Sequence, residues 1–175
     1  MMFYKNLLAM VLVVGLMTAC NGNREQEKAR ESIDKLETQA FSDTVTMIDS
    51  ALGMEMIQAY TDYANAYPDD TLSAEYLFKG AEIAMNMKMA GLAIDTYKRI
   101  LSSYPTFSKS DYCLFLQAFI LENQLQQFDQ AKVVYEEFVT LYPDHPMAED
   151  ARMSIQNMGV PLEDLIRQWE SRNTK

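Results

Sequence analysis

The two cysteines and the single histidine are the side chains of this chain best suited to nucleophilic chemistry. A nucleophilic cysteine needs a base beside it, and histidine is the usual one. Cys113 stands among apolar and aromatic residues, which favours a buried thiol. His145 stands between Pro143 and Pro146, where a helix is expected to begin. The pattern therefore predicts no catalytic residue and no enzyme.

Two other patterns contain residue types that occur in metal sites or acid–base pairs. Met85, Met87 and Met89 alternate, and thioethers bind copper(I), but methionine is also a common core residue and no cysteine or histidine flanks these three. The adjacent carboxylates at 136–137 and 149–150 point in different directions on a helix. We therefore expect no metal site and no cofactor.

Cys20 follows a segment with the features of a secretion signal. Lys5 supplies a positive charge, and residues 7–19 form an almost unbroken apolar run. Its 13 residues are too few to span a bilayer, which takes about 20, but they suit a signal-peptide core. The run ends at Thr18-Ala19-Cys20, which resembles the lipobox of bacterial lipoproteins, with Met17 where leucine is commonest.

The lipoprotein resemblance implies an anchor and a location. It makes residues 1–19 a cleaved signal peptide and Cys20 the lipidation site, carrying acyl chains such as palmitate. Asn21, rather than the aspartate of inner-membrane retention, implies an outer-membrane anchor facing the periplasm. Residues 20–28 are then a polar tether, and residues 29–175 a helical-repeat domain. The alternative is an ordinary secretory signal in which Cys20 is incidental.

Size and composition favour one all-α domain. Removal of the signal leaves 156 residues, which suit a single hydrophobic core. Strong helix formers dominate, proline and glycine are sparse, and no run of alternating β-branched residues occurs. The net charge of −10 argues against nucleic acid or anionic lipid as the main partner.

The dipeptide Tyr-Pro ends a helical pattern three times. Its prolines, Pro68, Pro105 and Pro143, recur after 37 and 38 residues. Self-similarity at a period of 20–50 residues is typical of stacked helical repeats, which build binding surfaces.

The helical patterns between these prolines locate the elements. Residues 24–40 form either the first helix of a repeat or a stalk, and a second helix covers residues 50–66. Asp70 or Thr71 can cap the next helix. Turns are expected at residues 87–91 and 123–129, and the spacing from the first to the second helix is one residue longer in the second pair.

The C-terminal part is expected to act as a cap. Pro146 is expected to open a helix that runs to Met158, and Gly159 to end it in a left-handed conformation. Trp169 belongs to the apolar stripe of a last helix and is predicted to be buried, the alternative being an exposed binding aromatic.

Two helix pairs resemble tetratricopeptide repeats. Each has a large apolar and then a small residue in its first helix, and alanine, tyrosine and proline in or after its second. In this order the positions are Leu77, Ala81, Ala93, Tyr97 and Pro105, then Leu114, Ala118, Ala131, Tyr135 and Pro143. The resemblance implies antiparallel helix pairs stacked as a short solenoid. The alternative is an irregular helical bundle.

In that family, residues of each first helix that face away from the second line an inner groove. Carried over by offset from Ala81 and Ala118, the partner-binding candidates are Glu75, Phe78, Glu82, Met85, Tyr112, Phe115, Phe119 and Glu122. They make an aromatic and methionine strip edged by carboxylates, suited to an apolar peptide or helix with basic residues. A core position is the alternative for Phe115 and Phe119.

The lipobox together with repeats that close on Tyr-Pro resembles the lipoprotein subunit of the β-barrel assembly machinery. The resemblance covers about residues 50–158 and implies a periplasmic protein-interaction scaffold in outer-membrane protein assembly. The alternative is a general interaction lipoprotein of envelope or cell-division complexes. A small-ligand carrier or an enzyme would need polar groups converging in a pocket, which the sequence does not indicate.

Overall fold

A computed structural model describes residues 23–41 and 49–173 of the chain. These residues contain eight α-helices and no strand, which confirms the all-α class. The helices are α1 (23–40), α2 (Ser50–Ala66), α3 (Thr71–Asn86), α4 (Ala90–Ser103), α5 (Ser110–Asn123), α6 (Phe128–Leu141), α7 (Ala148–Asn157) and α8 (Leu162–Asn173). The signal segment and Cys20 lie outside the described residues.

The chain divides into two compact units, one ending at Tyr76 and one beginning at Leu77, so the boundary lies within α3. The sequence predicted a single domain over 29–175. Helix α1 already begins at residue 23, so residues 23–28 are helical rather than part of a tether.

In the first unit, α1 is part of the packed fold. Ile33 and Ala40 are 1% and 2% exposed, and the Tyr60 hydroxyl of α2 donates a hydrogen bond of 2.8 Å to Glu37. Asp49 caps α2 by accepting the N–H of Leu52 at 2.9 Å. Of the two possibilities that the sequence left open, α1 is therefore a helix of the fold and not a stalk.

A partly buried polar cluster joins α1, α2 and the start of α3. The Arg30 Nε and Gln26 Nε2 groups donate to the Tyr63 hydroxyl at 2.8 and 3.0 Å, and that hydroxyl donates to Asp70 at 3.1 Å. Arg30 also pairs with Asp70 directly. The Asp70 carboxylate accepts the N–H of Leu72 at 2.7 Å, so Asp70 is the cap of α3, one of the two candidates that the sequence left open.

Burial tends to raise the pKa of Asp70, but the Leu72 N–H, the Tyr63 hydroxyl and the Arg30 guanidinium outweigh it and lower that pKa. A carboxyl whose pKa is lower in the folded state stabilises the fold at pH values above its unfolded pKa, about 3.9, and loses this contribution as the pH falls through the folded pKa. We therefore expect Asp70→Asn to lower stability at pH 6 and to reduce the loss of stability between pH 5 and 2. Thermal unfolding across this pH range measures it.

The neighbouring exposed Asp69 supplies the control, since Asp69→Asn should keep the pH dependence of the parent. An Asp70→Asn variant with the same acid loss as the parent would contradict the role given to the cluster.

In the second unit, successive helices pack on one another: α4 on α5, α5 on α6, and α6 on α7. Small residues at an interface let two helices approach closely, because a larger side chain would hold them apart. Four alanines predicted for this purpose have no exposed surface: Ala81, Ala93, Ala118 and Ala131. The expected helix pairing is therefore confirmed in this unit.

The three Tyr-Pro sites end their helices in the same way. Tyr67, Tyr104 and Tyr142 follow the last helical residues of α2, α4 and α6, with φ near −130° and ψ near 60°. The following proline disfavours the helical conformation of each tyrosine, so the helix ends there. The turns 87–89 and 124–127 differ by the expected extra residue, and each holds one residue with positive φ, Lys88 and Gln126.

Two predictions for the C-terminal part are wrong. Helix α7 begins at Ala148 rather than at Pro146, because residues 146 and 147 form a turn. Trp169 is 66% exposed, and its neighbour Ile166 is 48% exposed, so the stripe on α8 is not buried as a whole. The left-handed Gly159 is confirmed, with φ of 74°.

Candidate partner-binding surface

The eight candidates of the predicted groove are placed differently from one another. Glu75 belongs to the first unit, and the other seven lie on α3 and α5 in the second. Tyr112 and Phe119 are exposed by 42% and 39%, whereas Phe78 and Phe115 are exposed by only 5% and 7%. The remaining candidates are half-buried: Glu75, Glu82, Met85 and Glu122.

Phe78 is a core residue, so its assignment to an exposed strip is wrong. Its ring centroid lies 5.9 Å from those of Tyr97 and Phe107, and the Lys109 ammonium lies 4.8 Å from the ring centre. Helix α3 is thus covered on one side by α4 and on another by the segment that leads into α5. A helix covered on two sides buries residues that a single-groove pattern places outside.

For Phe115 the core alternative holds, and for Phe119 it does not. The Phe115 ring packs edge-on against Tyr135 and Phe138 of α6, with centroid distances of 5.5 and 5.4 Å. Phe119, one helical turn further along α5, keeps 39% of its surface exposed. Of the predicted aromatic strip, Tyr112 and Phe119 therefore remain accessible to a partner.

A contact that the sequence did not indicate holds Tyr112 in place. Its ring meets that of His145 edge-on at 5.3 Å, and His145 Nε2 lies 3.2 Å from the Asp111 carboxylate. The backbone N–H of Met147 donates to His145 Nδ1 at 3.1 Å, which assigns the proton of a neutral ring to Nε2, facing Asp111. Through these contacts, His145 connects the segment before α7 to the start of α5. Asp111 and His145 are too far apart in sequence for a spacing rule to pair them.

Glu122 is held by a hydrogen bond from the neighbouring helix α6. The hydroxyl of the buried Tyr135 donates to its carboxylate at 2.9 Å and is also hydrogen-bonded to Ser154 of α7. Burial, followed by the neighbouring carboxylate, raises the pKa of Tyr135. The phenol therefore stays protonated and keeps Glu122 in one orientation.

In the preceding helix pair, Tyr97 takes the place of Tyr135, but its hydroxyl donates to no carboxylate among the described residues. Tyr97 is fully buried, and its hydroxyl has no hydrogen-bond partner among the described residues. The offset that leads to Glu122 on α5 leads to Met85 on α3, and a thioether is a poor acceptor. The two pairs thus share a shape but differ in the polarity of their inner face.

Beyond Glu122 the surface opens into a cleft of about 640 Å³, formed by the end of α5, the start of α6, α7, and the turn into α8. Its volume is within the range of known ligand pockets. The lining mixes carboxylates with apolar side chains and includes Glu122, Phe128, Asp150, Met153, Met158 and Leu165. The turn at Gly159 forms one wall, where an added Cβ would come within 3.5 Å of the Phe128 ring.

Three further kinds of site were possible in residues 23–41 and 49–173: a reactive thiol, a metal site and a membrane-spanning helix. The Cys113 thiol has no exposed surface, which confirms the predicted buried thiol, and burial raises its pKa to about 12. No group of three or more metal-binding side chains is found among the described residues. No helix in the described part of the chain is both long and apolar enough to pass through a membrane.

The stacked helix pairs with their repeated alanine and tyrosine positions define a helical-repeat protein. Residues 75–106 and 112–145 match the family model of the tetratricopeptide repeat. These two segments are therefore tetratricopeptide repeats, and an irregular bundle is excluded for these residues. No curated protein matched the chain.

Proposed function

We propose that this chain is a lipid-anchored scaffold that binds other envelope proteins or their peptides on the periplasmic side of the outer membrane. The observation that carries the interaction role is the pair of tetratricopeptide repeats, a fold that generally mediates protein–protein contacts and typically has no catalytic role. The observation that supports the anchor is the apolar run that ends at Thr18-Ala19-Cys20.

The surface of the second unit supports a protein partner. It offers the accessible rings of Tyr112 and Phe119 and a cleft of about 640 Å³ beside Glu122. Aromatic side chains contribute strongly to binding energy at protein interfaces. The net charge of −10 makes nucleic acid an unsuitable partner, because phosphate groups would be repelled.

The narrower role that we propose is in outer-membrane protein assembly. It is supported by the resemblance of the lipobox and the Tyr-Pro repeats to the lipoprotein subunit of the barrel assembly machinery. Affinity purification from cross-linked, solubilised outer membranes tests it. Recovery of barrel-assembly components is expected, recovery of peptidoglycan or division proteins would replace this role with the alternative, and recovery of no envelope protein would contradict the scaffold.

The anchor has its own test. We expect Cys20→Ala to abolish labelling by a fatty-acid analogue and to release the protein from the membrane fraction. Cys113→Ala is the matched control, because it removes the other cysteine and should leave labelling and fractionation unchanged. Continued labelling and membrane attachment of the Cys20→Ala variant would contradict the assignment.

A further inference from the structure

The cleft between α5, α6, α7 and α8 has an unbalanced charge. Glu122 and Asp150 line it, and none of its described lining residues is lysine, arginine or histidine. The nearest arginines along α7 and α8 are engaged elsewhere: Arg152 with Glu149 and the Pro143 carbonyl, and Arg167 with Asp164. Neither Arg152 nor Arg167 therefore neutralises the two carboxylates of the cleft.

One of the two carboxylates is already oriented. The Tyr135 hydroxyl donates to Glu122 at 2.9 Å from a fully packed position in α6. A carboxylate has acceptor positions beyond the one that this bond uses, so Glu122 can still accept hydrogen bonds from a ligand. Because its orientation is fixed before binding, less entropy is lost when a cation is bound.

The rest of the lining combines uncharged polar side chains with an apolar part, the polar ones being Asn123, Gln126, Ser154 and Asn157. Phe128 and Met153 are exposed by 40% and 46%, and Met158, Val160 and Leu165 are half-buried. Lysine and arginine carry an apolar stem below a charged head, so one such side chain can satisfy both the carboxylates and the apolar surface. A volume of about 640 Å³ also leaves room for a neighbouring side chain.

We infer that this cleft binds a peptide segment of a partner protein that carries arginine or lysine next to an apolar side chain. The inference rests on the proposed function, since it specifies the chemistry of the partner that the scaffold binds. Charge complementarity across the cleft selects the cation, and the apolar part of the lining selects the apolar side chain next to it.

Two matched pools of synthetic heptapeptides provide the probe. Both are randomised among apolar residues around a fixed central residue, which is arginine in one pool and citrulline in the other. Citrulline keeps the shape of arginine and removes its charge. The full chain, purified in detergent, is expected to bind the arginine pool about tenfold more tightly, with a preference that weakens as salt is raised.

Variants locate the site. Glu122→Gln keeps an oxygen for Tyr135 and removes the charge, so it is expected to remove most of the preference, and Asp150→Asn should reduce it by about two- to fivefold. Glu136→Gln, at an exposed position of α6 outside the cleft, is the matched control and should bind as the parent does. Thermal unfolding of each variant shows that the fold is retained.

Equal binding of the two pools, or a full preference in Glu122→Gln, would overturn the inference. The result is separable from the test of the scaffold role. If cross-linking recovers envelope proteins equally with the parent and the Glu122→Gln variant, the cleft inference fails and the scaffold stands. If the pools differ as expected but no envelope protein is recovered, the scaffold proposal fails and the cleft inference stands.

Discussion

Replacing Phe115 with alanine is expected to lower the free energy of unfolding by about 3–5 kcal/mol. The ring is 7% exposed and packs edge-on against Tyr135 and Phe138, so its removal leaves a cavity at the centre of the α5–α6 interface. Chemical denaturation monitored by circular dichroism measures the loss.

Phe119 supplies the matched control. It has the same side chain on the same helix, one turn away, but 39% of its surface is exposed. Phe119→Ala should therefore cost no more than about 1 kcal/mol. Equal losses for the two variants would show that Phe119 belongs to the core as well and would remove it from the candidate binding surface.

The two equivalent tyrosines are expected to respond differently to loss of their hydroxyl groups. Tyr135→Phe should destabilise by about 1.5–3 kcal/mol, because it removes a hydrogen bond to a charged group and leaves Glu122 with only the longer bond of 3.4 Å from Asn123. Tyr97→Phe should be neutral or stabilising by about 1 kcal/mol, because it removes a buried hydroxyl that has no partner among the described residues.

Urea denaturation of both phenylalanine variants measures the difference, and each serves as the control for the other. The ring is kept in both, so packing contributes little to the comparison. A Tyr97→Phe variant as destabilised as Tyr135→Phe would mean that the Tyr97 hydroxyl is hydrogen-bonded in solution, for example to a buried water molecule.

Local signals predicted much of the fold. Tyr-Pro at positions 67, 104 and 142 ends a helix because proline restricts the residue before it, and no distant contact is needed to produce that effect. The cap at Asp70 and the left-handed Gly159 are equally local. Repeated small residues predicted the close helix packing because every close approach has the same steric requirement.

The candidate site depended on information that spacing does not contain. Phe115 and Phe119 are four residues apart on one helix and belong to the same stripe, yet only the packing of α6 decides that the first is buried. Phe78 is covered by Phe107, which precedes the next helix pair. The cleft forms because α7 and the start of α8 lie beside the end of α5 and the start of α6. No pattern within α5 indicates that position.

Trp169 is another residue whose burial could not be predicted from spacing alone. The periodicity of α8 correctly describes an apolar face, but periodicity does not say what covers that face. No described helix follows α8, and the indole remains 66% exposed. This residue therefore moves from the predicted core to the exposed apolar surface.

The early start of α1 determines how far the first unit can stand from a lipid anchor. If Cys20 is acylated as we propose, only three residue steps separate it from the beginning of the helix at residue 23. Fully extended, three residues span about 10 Å, much less than the thickness of a bilayer. With such an anchor, this short connection would hold the first unit close to the membrane surface. Near that surface, encounters with other membrane-bound proteins would occur in two dimensions at a high effective concentration, so even weak contacts with individual partners could suffice.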